Sequence, residues 1–273
     1  MGETAAGSHT TTDLFDWENK QAGDFPLYSG PQAVSWWGWL IALVGAGLGF
    51  ALDLYSTSVL VAVAPSPGPW RWIALFLIAI LVAAIPLLGL WLAAGDAIRS
   101  LFRRLAGRDW FLMVILLLVY LGYTLVATAA AHGLGITTHA DTAMSDLAKG
   151  PGGLAIDVAA LFELPFLLMG ETLFILVPFL FFMAVLVRGF NMERKPALVV
   201  AAIVAGLLFG LLHFQAYQGD IYQMLVIIGL GQIIMFFGYL KTKNLWVSYL
   251  VHLFFDGFGI LMTTILAALG VSH

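Results

Sequence analysis

The chain has 273 residues, of which 61% are hydrophobic, 10% are charged and none is cysteine; its net charge is −4. A soluble domain would carry about 25% charged residues, so this composition excludes an ordinary soluble protein. The lack of cysteine excludes disulfide bonds, thiolate metal sites and a cysteine nucleophile. Apolar residues occur in continuous runs of about 20 or more, whereas a β-barrel would show short alternating segments. We therefore predict an all-α fold, a polytopic membrane helix bundle with about seven transmembrane helices, and no nucleic-acid partner.

The N-terminal residues 1–34 come before the first apolar run and are polar and acidic. They lack the basic start and the apolar stretch of a signal peptide. We predict a flexible acidic cytoplasmic tail over 1–34 and a single transmembrane domain over 35–273. The tail contains four aromatic residues that could dock at the membrane interface: Phe15, Trp17, Phe25 and Tyr28.

Seven apolar segments follow the tail. Their approximate ranges are 36–63, 70–97, 110–131, 154–187, 196–215, 221–240 and 245–269. The fourth segment is long enough for two short spans. We interpret it as one span that is kinked near Pro165 or Pro178, since two spans would move the later basic loops to the other side of the membrane.

Positive residues support this topology. Ten of the twelve Lys and Arg residues fall on one side of it, in the tail and in three loops: Lys20; Arg99, Arg103, Arg104 and Arg108; Arg188, Arg194 and Lys195; Lys241 and Lys243. The positive-inside rule then predicts a cytoplasmic N-terminus. We expect an integral protein of a prokaryotic plasma membrane.

The titratable residues inside the apolar segments include Glu171, His213, His252 and Asp256. Such residues are costly inside a membrane, and each is by default a hypothesis for a functional site. His252 and Asp256 are four residues apart and share one face of a helix. Phe209 precedes His213 by the same interval and is expected to pack against its imidazole. The four groups suit acid–base chemistry or the binding of a divalent metal such as zinc. The alternative without a functional site is that each forms a hydrogen bond between helices, which would contribute about 1 kcal/mol to stability.

Signatures of other intramembrane proteases are missing, including HExxH, GxGD and GxSxG in a suitable context. Three stretches instead resemble one family: FGLLH (209–213), GYLKTKNLW (238–246) and HLFFD (252–256). They are similar to motifs of the CPBP intramembrane proteases, the group of CAAX prenyl endopeptidases and bacteriocin-processing Abi proteins, whose pattern is EExxxR, then FxxxH, then HxxxN or HxxxD. The resemblance covers roughly 165–262, within a family-like core of about 154–269. The first motif departs from the pattern, because Gly170 precedes Glu171 and Ile175 or Leu176 stands where arginine is expected.

The resemblance implies a peptide hydrolase in which Glu171 and His213 activate the attacking water. His252 and Asp256 would stabilise the oxyanion or hold the site together. The family is described both as metal-dependent and as glutamate-dependent. Zinc bound by these four residues and a site with no cofactor therefore both remain open.

Glu163 lies eight residues before Glu171, near the same helix face, and is predicted to be a supporting residue in the wall of the site. The expected partners are membrane lipid and a protein or peptide substrate. The altered first motif favours an alternative, a non-proteolytic family member that binds or stabilises a membrane-protein partner. A transporter with a proton relay is a third possibility, which the lack of internal repeats disfavours.

The depths of the four residues pose a geometric problem. Counting ~1.5 Å per residue from the basic loops places Glu171 and His213 about 24–27 Å into the membrane. The same count places His252 and Asp256 about 10–16 Å deep. A shared site therefore requires tilted helices, or a last helix that begins deeper than Leu245.

Overall fold

The computed structural model describes residues 14–63, 68–139 and 153–268, and in these ranges the chain forms helices and no strand. Within them, seven helices are long and apolar enough to cross a membrane, which confirms the predicted fold class. The helices are Trp36–Leu54 (α1), Ser56–Val63 (α2), Pro69–Ala94 (α3), Gly107–Gly133 (α4), Gly153–Ala184 (α5), Arg194–Leu212 (α6), Gly231–Thr242 (α7) and Leu245–Ala268 (α8). A 3₁₀ segment, Gly95–Leu101, follows α3, and π-helical segments follow α5 (Val185–Gly189) and precede α7 (Gln223–Leu230).

Helix α5 occupies the centre of the bundle. It packs against α1, α3, α6 and α8, and it runs as one helix through both of its prolines, as predicted for the fourth segment. Small residues allow the close contacts around it. A Cβ atom on Gly45 of α1 would lie 2.9 Å from the Cα atom of Gly89 in α3, so this helix pair depends on glycine at the crossing.

Residues 14–34, called the docked tail below, pack against one end of the bundle. Leu27 and Tyr28 are completely buried. Phe25 meets Phe179 of α5 edge-on at 5.2 Å, and Trp17 lies 4.8 Å from Phe237 of α7. The structure thus corrects the prediction of a flexible tail for residues 14–34, because the aromatic residues that could dock at the interface are packed into the protein. Residues 1–13 of the predicted tail lie outside the described residues.

Buried ion pairs fasten the docked tail. The side chain of Glu18 is fully buried and accepts hydrogen bonds from Arg194 at 2.7 and 3.0 Å and from Lys243. Asp24 accepts a further bond from Arg194 at 2.8 Å. We call these four residues the tail cluster. The partners of Glu18 and Asp24 are 170 or more positions away in the chain.

The docked tail also contacts the backbone and side chains of all three basic loops. Arg103 donates to the carbonyl of Ala22 at 2.9 Å, Arg188 to that of Val34 at 2.8 Å, and Lys241 to that of Trp17 at 2.7 Å. The three basic loops therefore lie on one face of the bundle, called the basic face below.

Candidate active site

Four predicted site residues converge from three helices. The Glu171 Oε2 atom of α5 lies 3.9 Å from His213 Nε2 and 3.7 Å from His252 Nε2. His252 Nε2 is also 3.2 Å from the Oδ2 atom of Asp256, one turn further along α8. These contacts bring the four residues together, and we call them the membrane site.

The four residues come together despite the apparent difference in depth. Arg194 at the start of α6 and Lys243 just before α8 both contact Glu18. At the other end, His213 and His252 both face Glu171. Counted at ~1.5 Å per residue, α6 extends about 28 Å from Arg194 to His213. By the same count, the path from Lys243 to His252 in α8 is about 14 Å long.

His213 is the C-cap residue of α6, where the helix ends. Its Nδ1 atom lies 3.0 Å from the carbonyl oxygen of Phe209. A carbonyl can only accept, so Nδ1 carries the hydrogen, and a neutral His213 presents an Nε2 lone pair towards Glu171. The Phe209 ring packs 4.8 Å from the imidazole, which confirms the predicted contact.

His252 lies behind the other three residues. Only 6% of its side chain is exposed, against 21% for Glu171 and His213 and 34% for Asp256. With both carboxylates ionised, its Nε2 atom must carry the hydrogen, because carboxylate oxygens only accept. Its Nδ1 atom is buried and has no hydrogen-bond partner among the described residues. The side chains of Glu171 and His213 are thus more accessible than that of His252, which lies on the protein side.

A metal ion does not fit the site as the side chains are arranged. Across the described ranges, no group of three or more His, Asp or Glu residues is placed to hold one. The Nε2 atoms of His213 and His252 instead face the same carboxylate oxygen, and His252 is within hydrogen-bonding distance of Asp256. The geometry therefore favours the glutamate-dependent alternative, and no step below uses a metal.

Glu163 is buried in α5 but is not part of the cluster. Eight helical residues separate it from Glu171, a rise of about 12 Å. It lies beyond the site, on the side away from the basic face. Its predicted place in the wall of the site stays a prediction.

Two tyrosines near the site were missed by the sequence reasoning. The Tyr217 ring stacks on His213 at 6.1 Å with an interplanar angle of 24°. Tyr249 of α8 donates to the carbonyl of Pro165 at 2.9 Å, and so joins α8 to the proline-containing part of α5. Tyr217 follows His213 by four residues, which was the one available signal, but it lies in a stretch that reads as a polar turn.

The structure explains the altered first motif. A Cβ atom at Gly170 would lie 2.7 Å from the Val82 side chain and 2.8 Å from its carbonyl oxygen, so a glutamate cannot fit there. Ile175 and Leu176 are fully buried in the apolar core, where an arginine would have to be desolvated. Close apolar packing of α5 thus stands in place of the first glutamate and the arginine of the EExxxR pattern.

Comparison with known proteins agrees with the motif analysis. Residues 163–258 match the family model described as Type II CAAX prenyl endopeptidase Rce1-like. This range contains all four residues of the membrane site and confirms the predicted resemblance. The searches of curated proteins and of solved structures gave no significant match. Through residues 163–258, the chain is thus similar to the Rce1-like CAAX prenyl endopeptidases, a family of intramembrane proteases of the CPBP type.

Proposed function

We propose that this protein is an intramembrane endopeptidase that hydrolyses a peptide bond with a water molecule activated by Glu171 and His213. The observation that carries the proposal is the position of the Glu171 carboxylate, which faces the Nε2 atoms of two histidines at 3.7 and 3.9 Å. The family match supports the class of reaction. The residue roles are our inference from the geometry.

The gap between Glu171 and His213 suits one water molecule. At 3.9 Å the two groups are too far apart for a direct hydrogen bond, but both can reach a water ~2.8 Å from each. Both are acceptors when Glu171 is ionised and His213 is neutral, so the water donates its two hydrogens to them. Its oxygen lone pair is then free to attack a carbonyl carbon.

Proton transfer completes the reaction. Glu171 takes a proton from the water as the oxygen bonds to the substrate carbonyl carbon, which gives a tetrahedral intermediate. The protonated Glu171 then gives that proton to the leaving amine nitrogen as the carbon–nitrogen bond breaks. The products are a carboxylic acid and an amine, and Glu171 returns to its starting state.

His252 and Asp256 position the base in this proposal. The Nε2–H group of His252 lies between the two carboxylates, where it limits their repulsion and holds the Glu171 side chain in place. A histidine donor could also stabilise an oxyanion, as the family resemblance implies. Here the Nε2 atom faces Asp256 at hydrogen-bonding distance, which favours the positioning role.

The second candidate is a non-proteolytic member that binds or stabilises a membrane-protein partner. The specific observation in its favour is the loss of the glutamate–arginine pair, replaced by the tight contact of Gly170 with Val82. In that case the four residues would only join helices to one another.

We also propose that the basic face lies in the cytoplasm of a prokaryotic cell. Its support is the location of three basic loops and the docked tail on that face. Because the chain has no cysteine, a single cysteine introduced at exposed Arg104 can report its side of the membrane. Labelling of intact cells by an impermeant thiol reagent would overturn the orientation.

The activity is tested by Glu171→Gln, which keeps the size of the side chain and removes the base. The purified protein is incubated in detergent with a peptide library, and cleavage is followed by mass spectrometry. Loss of a general base should lower the cleavage rate by ~100- to 10,000-fold. Glu193→Gln is the matched control, because Glu193 is exposed on the basic face and its side chain makes no capping bond.

The same variant separates the two candidate functions. If Glu171 only joins helices, glutamine can still hydrogen-bond, and stability should change by about 1 kcal/mol or less. A Glu171→Gln protein that cleaves as well as the parent would exclude Glu171 as the base. The absence of any cleavage by the parent protein, together with intact partner capture by Glu171→Gln, would support the non-proteolytic alternative.

A further inference from the structure

A cleft on the basic face is separate from the membrane site. It has a volume of about 240 Å³ and is formed where the docked tail, the loop after α3 and the turn between α7 and α8 meet. The docked tail contributes Asn19, Gln21 and Ala22 to its lining, the loop after α3 contributes Arg103 and Arg104, and the start of α4 contributes Arg108. None of these residues has a role in the proposed reaction.

Three arginines give the cleft its charge. The guanidinium of Arg103 donates a hydrogen bond to the Ala22 carbonyl. Arg104 and Arg108 are exposed and make no ion pair among the described residues. The lone acidic side chain lining the cleft is Asp109, whose Oδ2 atom accepts the backbone N–H of Ala106 at 2.8 Å and so caps the start of α4. The cleft therefore holds uncompensated positive charge.

The walls of the cleft are fixed by hydrogen bonds. Asn244 accepts from the backbone N–H of Arg103 at 3.1 Å and donates to its carbonyl at 3.2 Å. The bond from Arg103 to Ala22 adds the docked tail to the same wall. A concave site that is preformed and carries several arginine donors suits a phosphate group, which guanidinium binds with two parallel hydrogen bonds.

The surroundings favour a lipid as the source of that phosphate. Trp110 and Phe111 follow directly in the first turn of α4 and are exposed, as are Val114 and Leu118 one and two turns further along. Aromatic residues of this kind lie at the headgroup level of a membrane, above the apolar surface that contacts acyl chains. The volume is below the ~300–1,000 Å³ of pockets for drug-sized ligands, as expected for a headgroup alone.

We propose that this cleft binds the phosphodiester headgroup of an anionic phospholipid, with Arg104 and Arg108 as its principal donors. Anionic lipids attract basic residues near the cytoplasmic surface of membranes. Since Asn19, Gln21 and Ala22 belong to the docked tail, a bound headgroup also stabilises the docking of the tail.

The test uses the full chain, purified in a neutral detergent. Phosphatidylglycerol or phosphatidylcholine with identical acyl chains is added, bound lipid is counted by native mass spectrometry, and thermal unfolding is recorded in parallel. We expect one retained phosphatidylglycerol and a raised melting temperature, with neither effect from phosphatidylcholine. Equal retention of the two lipids would overturn the proposal.

Variants locate the site. Arg104→Gln and Arg108→Gln should each weaken phosphatidylglycerol binding about tenfold or more, because each removes a charge-assisted contact. Both side chains are exposed and form no ion pair with any residue that the structure describes, so the melting temperature without lipid should not change. Arg99→Gln is the matched control, since Arg99 belongs to the same loop, pairs with Asp96 at 3.1 Å and does not line the cleft. An equal loss of phosphatidylglycerol binding in Arg99→Gln would mean that the lipid responds to general surface charge, and would refute a specific site in the cleft.

Soluble probes distinguish the source of the phosphate. Inorganic phosphate and glycerol phosphate are added at millimolar concentration in place of lipid. Stabilisation equal to that by phosphatidylglycerol, with the same loss in Arg104→Gln, would assign the cleft to a free phosphate and overturn the lipid assignment. Little effect of the soluble probes beside a clear effect of phosphatidylglycerol would support the proposal.

Discussion

Two clusters of ionisable residues lie within the described part of this protein, and they differ in how closely their charged groups approach one another. The tail cluster joins two carboxylates, Glu18 and Asp24, to the basic side chains of Arg194 and Lys243, with Arg194 bonds of 2.7 to 3.0 Å. Glu18, Arg194 and Lys243 are almost completely shielded from solvent. The charges balance, and every principal group has a partner.

The membrane site also has two carboxylates, but its partners are histidines, which are cations only when protonated. Two of its three contacts are longer than a hydrogen bond, and three of its four side chains are partly exposed. The clusters lie near opposite ends of α6, at Arg194 and at His213, about 28 Å apart along the helix. The comparison teaches that burial of charge has two uses here. Short, buried ion pairs fasten one end of the bundle, whereas longer contacts surround the Glu171 carboxylate at the other.

The comparison is tested most directly by the same substitution in both clusters. Glu18→Gln leaves Arg194 and Lys243 buried without their shared carboxylate, and we expect a loss of about 3–5 kcal/mol in the free energy of unfolding. Glu171→Gln should leave that free energy nearly unchanged and remove activity. Unfolding in detergent measures the first effect and peptide cleavage the second.

Asp16→Asn is the control for Glu18→Gln. Asp16 is two positions away and fully exposed, and its 3.8 Å pair with Lys20 should contribute little. If Glu18→Gln were as stable as Asp16→Asn, the tail cluster would not hold the tail.

His213 should matter for activity more than for stability. His213→Ala removes the Nε2 lone pair that shares the proposed water, and we expect a loss of ~100-fold or more in cleavage rate. The cost in stability should be modest, because the imidazole is partly exposed and lies at the end of α6. His132→Ala, at an exposed position, provides the control. Unaltered cleavage by His213→Ala would leave Glu171 to act without this partner and contradict the shared-water geometry.

The pairing of the tail cluster should show in its response to acid. Burial raises the pKa of Glu18, but the hydrogen bonds from Arg194 and Lys243 and the charge of Lys243 outweigh it and hold the pKa below the ordinary 4.5. The folded state thus binds this proton less readily than the unfolded state. The resulting stability is fully present above pH 4.5 and is lost as the pH falls through the lowered value.

This pH dependence is measured as the difference in melting temperature between the parent protein and Glu18→Gln. The difference should be constant from neutral pH down to 4.5 and then shrink. A difference that instead shrank between neutral pH and 4.5 would contradict the lowered pKa.

The smallest expected effect is that of removing metal ions. The described residues contain no group of three ligands placed for a metal, so a chelator should leave both the cleavage rate and the melting temperature unchanged. Inhibition by a chelator that added zinc reverses would show that the membrane site rearranges to bind metal, and would refute the metal-free proposal.

The sequence determined much of this protein by itself. The lengths of the apolar runs predict seven spans, because a helix must satisfy its own backbone groups in lipid. The spacing of Phe209 and His213, and of His252 and Asp256, predicts which side chains share a helix face, since that depends only on local geometry. Both predictions agree with the structure.

Other features were decided only by tertiary structure. Glu18 could be assigned only to a polar, acidic tail, because its partner Lys243 is 225 positions away. At Gly170 the sequence shows only that a glutamate of the family pattern is absent. The close contact of Val82 with Gly170 shows why a glutamate does not fit there. The orientation of His213 depends on the carbonyl that its ring meets, and the arginine cleft depends on three segments coming together. Local spacing can be counted along a chain, whereas the partner of a buried charge and the space beside a glycine depend on where distant segments pack.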